Sequence, residues 1–219
     1  MNIKKKHFVS IAGNIGSGKS SLTKLLAERF DWIPYYESVH DNPYLTDFYG
    51  DMHRWSFNLQ IYFLSHRFRT HREILNRPES VVQDRSIYED VEIFAKNLYE
   101  LGRLNERDYM NYHNLFGEMV SYLKPPDLLV YLKANTDTLM KQIKRRGRDF
   151  EQNIEPMYIG KLNETYSEWI NSYKAGESMT IETDDLDFVS SQNDLNFVIN
   201  KIEERLFDSN DKFFRKVNK

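Results

Sequence analysis

Residues 13–20 read GNIGSGKS, three glycines among small residues followed by a lysine and a serine. The spacing fits G-x-x-x-x-G-K-[ST]. Gly13, Gly16 and Gly18 permit backbone conformations closed to other residues, so the amides of Asn14, Ile15 and Ser17 can converge with theirs on phosphate oxygens. Lys19 adds a mobile ammonium, and the Ser20 hydroxyl suits a phosphate-bound magnesium ion. A helix starting at Lys19, with Ser21 in its first turn, would add its positive N-terminal end. The pattern grips a nucleoside triphosphate. A turn that merely joins strand to helix is the bland alternative, which the predicted flanking elements disfavour. The fate of the terminal phosphoryl group stays open, because such loops serve hydrolases, kinases and regulatory modules alike.

Transfer of that group to a hydroxyl needs a proton acceptor, a carboxylate near the metal, and cations for the charge in flight. Glu37 in IPYYESV, Asp84 and Arg85 in VVQDRS, and Arg146 and Arg148 in KRRGRDFE supply these types. Singly, each has an ordinary reading: a solvated loop acid, a local ion pair or helix cap, a charged helix face. Jointly they fall near the ends of predicted strands or the helix beyond, where ligands of open α/β sheets gather.

The elements that must position them alternate. Runs rich in Val, Ile, Leu and Tyr at His7–Ala12, Trp32–Tyr36, Ser80–Asp84, Asp127–Leu132 and Ser178–Glu182 predict short buried strands. Helical segments are expected at Lys19–Phe30, Met52–Asn76, Ile87–Leu101, Glu106–Tyr122, Asp137–Arg146, Glu155–Tyr173 and Asp194–Phe207. Alternation of this kind implies crossover connections, hence an α/β fold with a five-stranded parallel sheet and helices on both faces. KPPD at Lys124–Asp127 separates a helix from a strand, since proline cannot continue the helix.

With 219 residues, one domain is expected over residues 1–208, and the polar, aperiodic residues 209–219 read as a tail. A net charge of −3 argues against a general nucleic-acid or membrane-surface binder. The absence of cysteine excludes disulfides and Cys-based zinc sites. No apolar run approaches the roughly 20 residues of a membrane span, so a cytoplasmic location is expected.

GNIGSGKSS, the Glu after the second strand, WSFNLQIYFLSHR, DRSIYEDVEIFAKNLYE and RGRDFE together resemble the deoxynucleoside kinase family, in particular its bacterial deoxyadenosine, deoxycytidine and deoxyguanosine kinases. The likeness spans about Phe8 to Trp169. It implies a three-layer P-loop kinase fold with an arginine-bearing lid, and a magnesium-dependent transfer from ATP to a deoxynucleoside, deoxyadenosine first. It makes Glu37 the general base for the 5′-hydroxyl, places Asp84 with Ser20 beside magnesium, sets Arg85 between Glu37 and the phosphoryl group, and makes Arg146 and Arg148 the lid cations. Lys19 completes the catalytic set.

For the acceptor, the resemblance assigns Gln60, Arg67 and Asp90 to the base, Phe94 to ring packing, and Tyr49 and Glu151 to the 3′-hydroxyl. Gln60 presents a donor and an acceptor side by side; Asp90 could accept from an exocyclic amine; Arg67 could hold Asp90 or donate to a carbonyl. The spacing of Phe94 from Val91 and Leu98 fits a core position equally well. Of the aromatics at 55, 57, 62, 63 and 68, most are expected in the core or an interface, and Tyr88 and Tyr99 are read as structural. Ser38 stands where many animal members carry proline. Gln142 stands where the lid often carries another arginine, with Lys141 or Lys144 as replacements. After a last strand, the loop Thr183–Leu186 is expected near the adenine of ATP. Homodimers are common in the family, and the apolar face of Met52–Asn76 could form such a surface. The rivals are a thymidylate-kinase-type nucleoside monophosphate kinase and a non-catalytic ATP-binding module. Glu37 discriminates against the first, because a carboxylate repels an acceptor that is already a phosphate.

Overall fold

β1 (Phe8–Gly13) is buried at every position and runs into the glycine turn, after which α1 (Lys19–Phe30) begins. This is a computed structural model, and it describes residues 5–37, 42–148, 151 and 154–207. The short β2 (Ile33–Tyr35) is followed by α2 (Leu45–Gly50) and the long α3 (Met52–Asn76). β3 (Val81–Asp84) leads into one continuous rod made of α4 (Ile87–Glu89), a π-helical stretch (Asp90–Ala95) and α5 (Lys96–Glu100). Then come α6 (Glu106–Val120), β4 (Leu128–Lys133), α7 (Thr136–Arg146), α8 (Pro156–Ser172), β5 (Ser178–Glu182) and α9 (Gln192–Leu206).

The five strands form one all-parallel sheet in the order β2-β3-β1-β4-β5. Strand periodicity explains the layers, because successive side chains leave opposite faces. Val9, Ile11, Val130 and Leu132 pack with Leu22 and Leu26 of α1 and Val198 and Ile202 of α9. Ala12, Leu129 and Tyr131 point the other way, onto Ile93 and onto Leu162, Tyr166 and Trp169 of α8. Farther out, Leu59 and Leu64 of α3 join Val91 and Leu98 of the rod and Tyr112 and Phe116 of α6. The expected α/β, helix-sheet-helix architecture is therefore present.

Because β3 flanks β1 on one side and β4 on the other, the chain reverses its order of travel at β1, which opens a crevice at the strands' carboxyl ends. The registers set this rim: Ile11 pairs with Asp84, the last residue of β3, so β1 runs on past β3 to Gly13, which still pairs with Leu132 of β4.

Most predicted bounds shift by one or two residues, and the larger departures are these. The second strand shrinks to Ile33–Tyr35, α2 was not anticipated, and the helix expected over Ile87–Leu101 is π-helical in its middle. Residues 209–219, and Ser38, lie outside the described residues.

Candidate active site

The phosphate loop is built by backbone geometry. Gly16 and Gly18 have φ of +84° and +90°, in the left-handed region that favours glycine. A Cβ on Gly16 would lie 2.8 Å from the Leu139 carbonyl, and one on Gly18 2.9 Å from Phe188 Cζ, so the loop is pressed against α7 on one side and the segment after β5 on the other. The Thr183–Leu186 loop leads into Phe188, and is pinned at its start by Thr183 N and Oγ1 donating to the Lys133 carbonyl.

Side chains of the loop are spent on holding it. Asn14 Nδ2 donates to the Ile159 carbonyl and to Asn163 Oδ1 of α8, and Asn14 Oδ1 accepts from Ile15 N–H. The Asn14 carbonyl accepts from Ser17 N–H and, at 2.8 Å, from Lys19 Nζ. Burial, with the nearby Arg85 cation, lowers the Lys19 pKa to about 7. Ser20 and Ser21 open α1, and Ser20 Oγ donates to Asp84 Oδ2 at 2.5 Å.

Asp84 is 3% exposed, and burial raises its pKa. Its Oδ1 is buried without a hydrogen-bond partner. An acid drained of solvent, with one lone oxygen and a hydroxyl beside it, is a donor set that fits magnesium.

Glu37 enters the cleft from the end of the second strand's segment. Its Oε1 accepts from Arg67 Nη2 at 2.7 Å and is ion-paired with Arg85 Nε at 3.1 Å. Burial pushes its pKa up, but the Arg85 and Arg67 guanidiniums outweigh that and hold the carboxyl at about 2. It is a carboxylate at any working pH.

Arg85 is fixed from every side. Its backbone lies at φ +71°, unusual for a residue with a side chain, and its N–H donates to the Ile11 carbonyl. Its guanidinium lies 4.6 Å from the centre of the Phe94 ring, and Nη1 donates to Tyr166 Oη and Glu89 Oε1. Phe94 thus lines the cleft while also packing on the sheet core.

Arg67, on α3, engages each of its three nitrogens. Nε donates to Asp90 Oδ2 at 2.7 Å, Nη2 to Glu37 and Nη1 to the Arg85 carbonyl. Of its two sequence-level roles, the structure shows it holding Asp90. Burial raises the Asp90 pKa to about 6 against the pull of Arg67. Gln60 is 3% exposed and its Oε1 is buried without a hydrogen-bond partner.

A cavity of about 290 Å³ gathers these groups. Its walls include Ile15, Lys19, Ser20, Glu37, Tyr49, Gln60, Asp84, Arg85, Asp90, Phe94, Arg146, Arg148 and Glu151. Tyr49, half-buried there, has its hydroxyl pKa pushed up by desolvation. Phe63 is the α3 aromatic that reaches the cavity; Tyr88 packs on Phe116 and Tyr173, and Tyr99 stacks on Tyr109, both structural as expected. A shallower groove of about 380 Å³ along α3, from Tyr44 to Arg69, is lined by no acidic residue.

Arg146 and Arg148, expected as lid cations, sit where α7 ends. Asn135 caps that helix by accepting from Thr138 N–H, and Gly147 at φ +68° closes it, with basic residues complementing the negative C-terminal end. Arg146 donates through Nε and Nη2 to both oxygens of Glu151, at 2.6–3.1 Å, and Arg148 Nη1 reaches Glu151 Oε1 at 3.4 Å. Both arginines therefore meet an acid expected at the sugar. Lys141, Gln142 and Lys144 are exposed on α7, and none of them lines the cavity.

Two groups were missed from sequence. Glu89 contacts Arg85 and Gly13, and Tyr166, on α8, joins both. The S-x-x-E of Ser86–Glu89 is a capping-box signature that could have drawn notice to Glu89. Tyr166 is too distant in sequence for any local signal.

Among the described residues no helix is long and apolar enough to cross a membrane. Compared with known proteins, the chain is 37% identical over 213 residues to the deoxyadenosine/deoxycytidine kinase of Bacillus subtilis (strain 168), covering 96% of this chain and 98% of that protein. It is 40% identical over 207 residues to the deoxyguanosine kinase of Lactobacillus johnsonii, covering 90% and 92%. The solved structure of deoxyadenosine kinase from M. mycoides with bound dATP superposes with a TM-score of 0.80 at 28% identity, over 90% of this chain and 99% of that one. A model of the family Deoxynucleoside kinase matches residues 9–207, and with this coverage the chain belongs to the deoxynucleoside kinase family.

Proposed function

We propose that this protein transfers the γ-phosphoryl group of ATP to the 5′-hydroxyl of a deoxynucleoside in salvage, with deoxyadenosine preferred over deoxycytidine and deoxyguanosine. The observation that carries the reading is the placement of Glu37: an ionised carboxylate in the same cavity as Lys19, Ser20 and Arg85.

Glu37 orients the acceptor hydroxyl and takes its proton. In a loose phosphoryl-transfer transition state that proton leaves late, so a weak base held in register suffices. Arg85 neutralises charge on the group in transit from the side of Glu37, and Lys19 from the phosphate loop. Arg146 and Arg148 leave Glu151 for the phosphates as the sugar 3′-hydroxyl takes their place beside Tyr49 and Glu151. Ser20 and Asp84 would hold magnesium, which would supply charge neutralisation on the phosphate oxygens.

Base preference follows from what is unspent. Each nitrogen of Arg67 already donates to a protein acceptor, which anchors it away from a guanine carbonyl, whereas Gln60 Oε1 is an unused buried acceptor on a cavity-lining residue. An acceptor beside a donor suits the amine edge of adenine. The dual substrate range of the B. subtilis relative is consistent with amine-bearing bases. A cytoplasmic homodimer joined along α3 completes the reading; the groove from Tyr44 to Arg69 offers it Tyr44, Phe57, Ile61 and Tyr62 interleaved with polar side chains. Sedimentation showing only monomer at micromolar concentration would remove the dimer.

The deciding experiment offers the four deoxynucleosides and thymidylate in parallel with ATP and magnesium. Phosphorylation of deoxyadenosine is expected. Turnover of thymidylate alone would assign a monophosphate kinase, and no turnover of any acceptor would leave an ATP-binding module.

A further inference from the structure

Glu89 is completely buried, in a part of the rod that sequence logic explains only by halves. Its Oε2 accepts from Ser86 N–H at 2.7 Å and Ser86 Oγ at 3.1 Å, which is all a capping box requires. An exposed capping glutamate leaves its other oxygen to solvent. Here Oε1 instead crosses to the neighbouring strand end, accepting from Gly13 N–H at 3.2 Å and Arg85 Nη1 at 3.3 Å. The Tyr166 hydroxyl accepts from Arg85 Nη1 at 2.7 Å and lies within donating distance of both Glu89 Oε1, at 2.7 Å, and the Gly13 carbonyl, at 2.8 Å.

We propose that Glu89, with Tyr166, is a positioning residue that suspends Arg85 between two acids and ties it to the first glycine of the phosphate loop. Arg85 has one guanidinium and two carboxylate neighbours, Glu37 through Nε and Glu89 through Nη1. Without the second, the cation would close on Glu37 as a two-pronged pair, occupying the oxygens that must meet the acceptor hydroxyl. With it, Arg85 is held edge-on and keeps Glu37 open. The Gly13 contact carries the phosphate loop into the same arrangement, so donor and acceptor halves share one buried anchor. The proposal rests on the roles given above to Glu37 and Arg85.

The test is a cycle of Glu89→Gln, Tyr166→Phe and the double variant, with kcat normalised to sites counted by fluorescent-nucleotide titration. Each single change is expected to lower kcat per site, Glu89→Gln by about ten- to a hundredfold, the scale of a reacting group slightly misplaced. KM for deoxynucleoside and ATP should stay within about threefold, because the groups touch neither substrate. Both changes act through Arg85, so the double variant should lose little more than Glu89→Gln alone. Unchanged kcat in either folded single variant, or losses that multiply in the double, would overturn the proposal. Should Glu89→Gln not fold, Tyr166→Phe, which removes one oxygen and keeps the ring stacked on Tyr131, decides by the same criterion. If the wild-type chain phosphorylates no deoxynucleoside, the functional reading falls with it; if it does and the variants match it, only this inference falls.

Discussion

Arg67 Nη2 donates to Glu37 Oε1 across 2.7 Å, linking the helical layer to the strand-end segment that carries the proposed base. The same guanidinium holds Asp90, so the group proposed to read the nucleobase and the group proposed to meet the 5′-hydroxyl share one cation. Lysine cannot span both, because its ammonium is a single point of charge. Arg67→Lys should therefore lower kcat and deoxynucleoside affinity together, by roughly tenfold or more in kcat/KM. A change confined to affinity would place Arg67 in base recognition alone.

Replacing Glu37 by Gln should reduce turnover by about a hundredfold or more, the usual scale for a lost general base. Nucleotide binding, measured by fluorescence titration, should persist. Because the carboxyl is held at about 2, no loss of wild-type activity between pH 5 and 9 should trace to its protonation.

Lys19 titrates at about 7 while the loop is empty, chiefly because it is buried. A triphosphate raises that pKa, so nucleotide binding above pH 7 should take up a proton, approaching one per site near pH 8, and almost none below pH 6. Calorimetry in buffers of different ionisation enthalpy measures this directly. Absence of uptake at pH 8 would mean that the lysine is already charged in the empty site.

Asp90 behaves in the opposite sense. Its folded pKa of about 6 exceeds the unfolded value, so the folded protein binds the extra proton between about pH 4 and 6. Its contribution to stability is thus present at the acid end and is lost as pH rises through 6. Recognition runs the other way, since only the ionised form pairs with Arg67 and accepts from a base amine. Deoxyadenosine affinity, measured without ATP, should fall severalfold from pH 7 to 5, and Asp90→Asn should flatten that dependence.

Glu151→Gln should split the two substrates. It removes an acid that pairs with Arg146 and Arg148, making Arg146 available to phosphate and loosening Arg148, and weakens the proposed 3′-hydroxyl contact. KM for ATP should decrease while KM for the deoxynucleoside rises severalfold. Parallel increases would show that the arginines are not restrained by this acid.

Much of this architecture was legible in the chain. Phe8–Gly13 and Leu128–Lys133 are strand-like because their β-branched and apolar side chains suit burial on both faces, and the glycine motif names its own flanking elements. What escaped depended on non-local geometry or weak pattern. α2 buries only Leu45 and Phe48 and ends at a glycine, too little for a helical period to show. The Arg67 fork joins residues 18 to 30 positions away, and Tyr166 reaches Arg85 across 81. The pairing of Arg146 and Arg148 with Glu151 follows from a turn at Gly147 that sets all three on one side, whereas the sequence reading had divided them between two substrates.

The widened turn at Asp90–Ala95 makes the rod a worse helix and a better wall. Val91, Ile93 and Ala95 are all buried while Asp90 and Phe94 face the cleft, an allotment that one regular pitch does not deliver. Removing a single residue here would regularise the hydrogen-bond ladder and swing the acid and the ring out of register with Arg67 and Arg85.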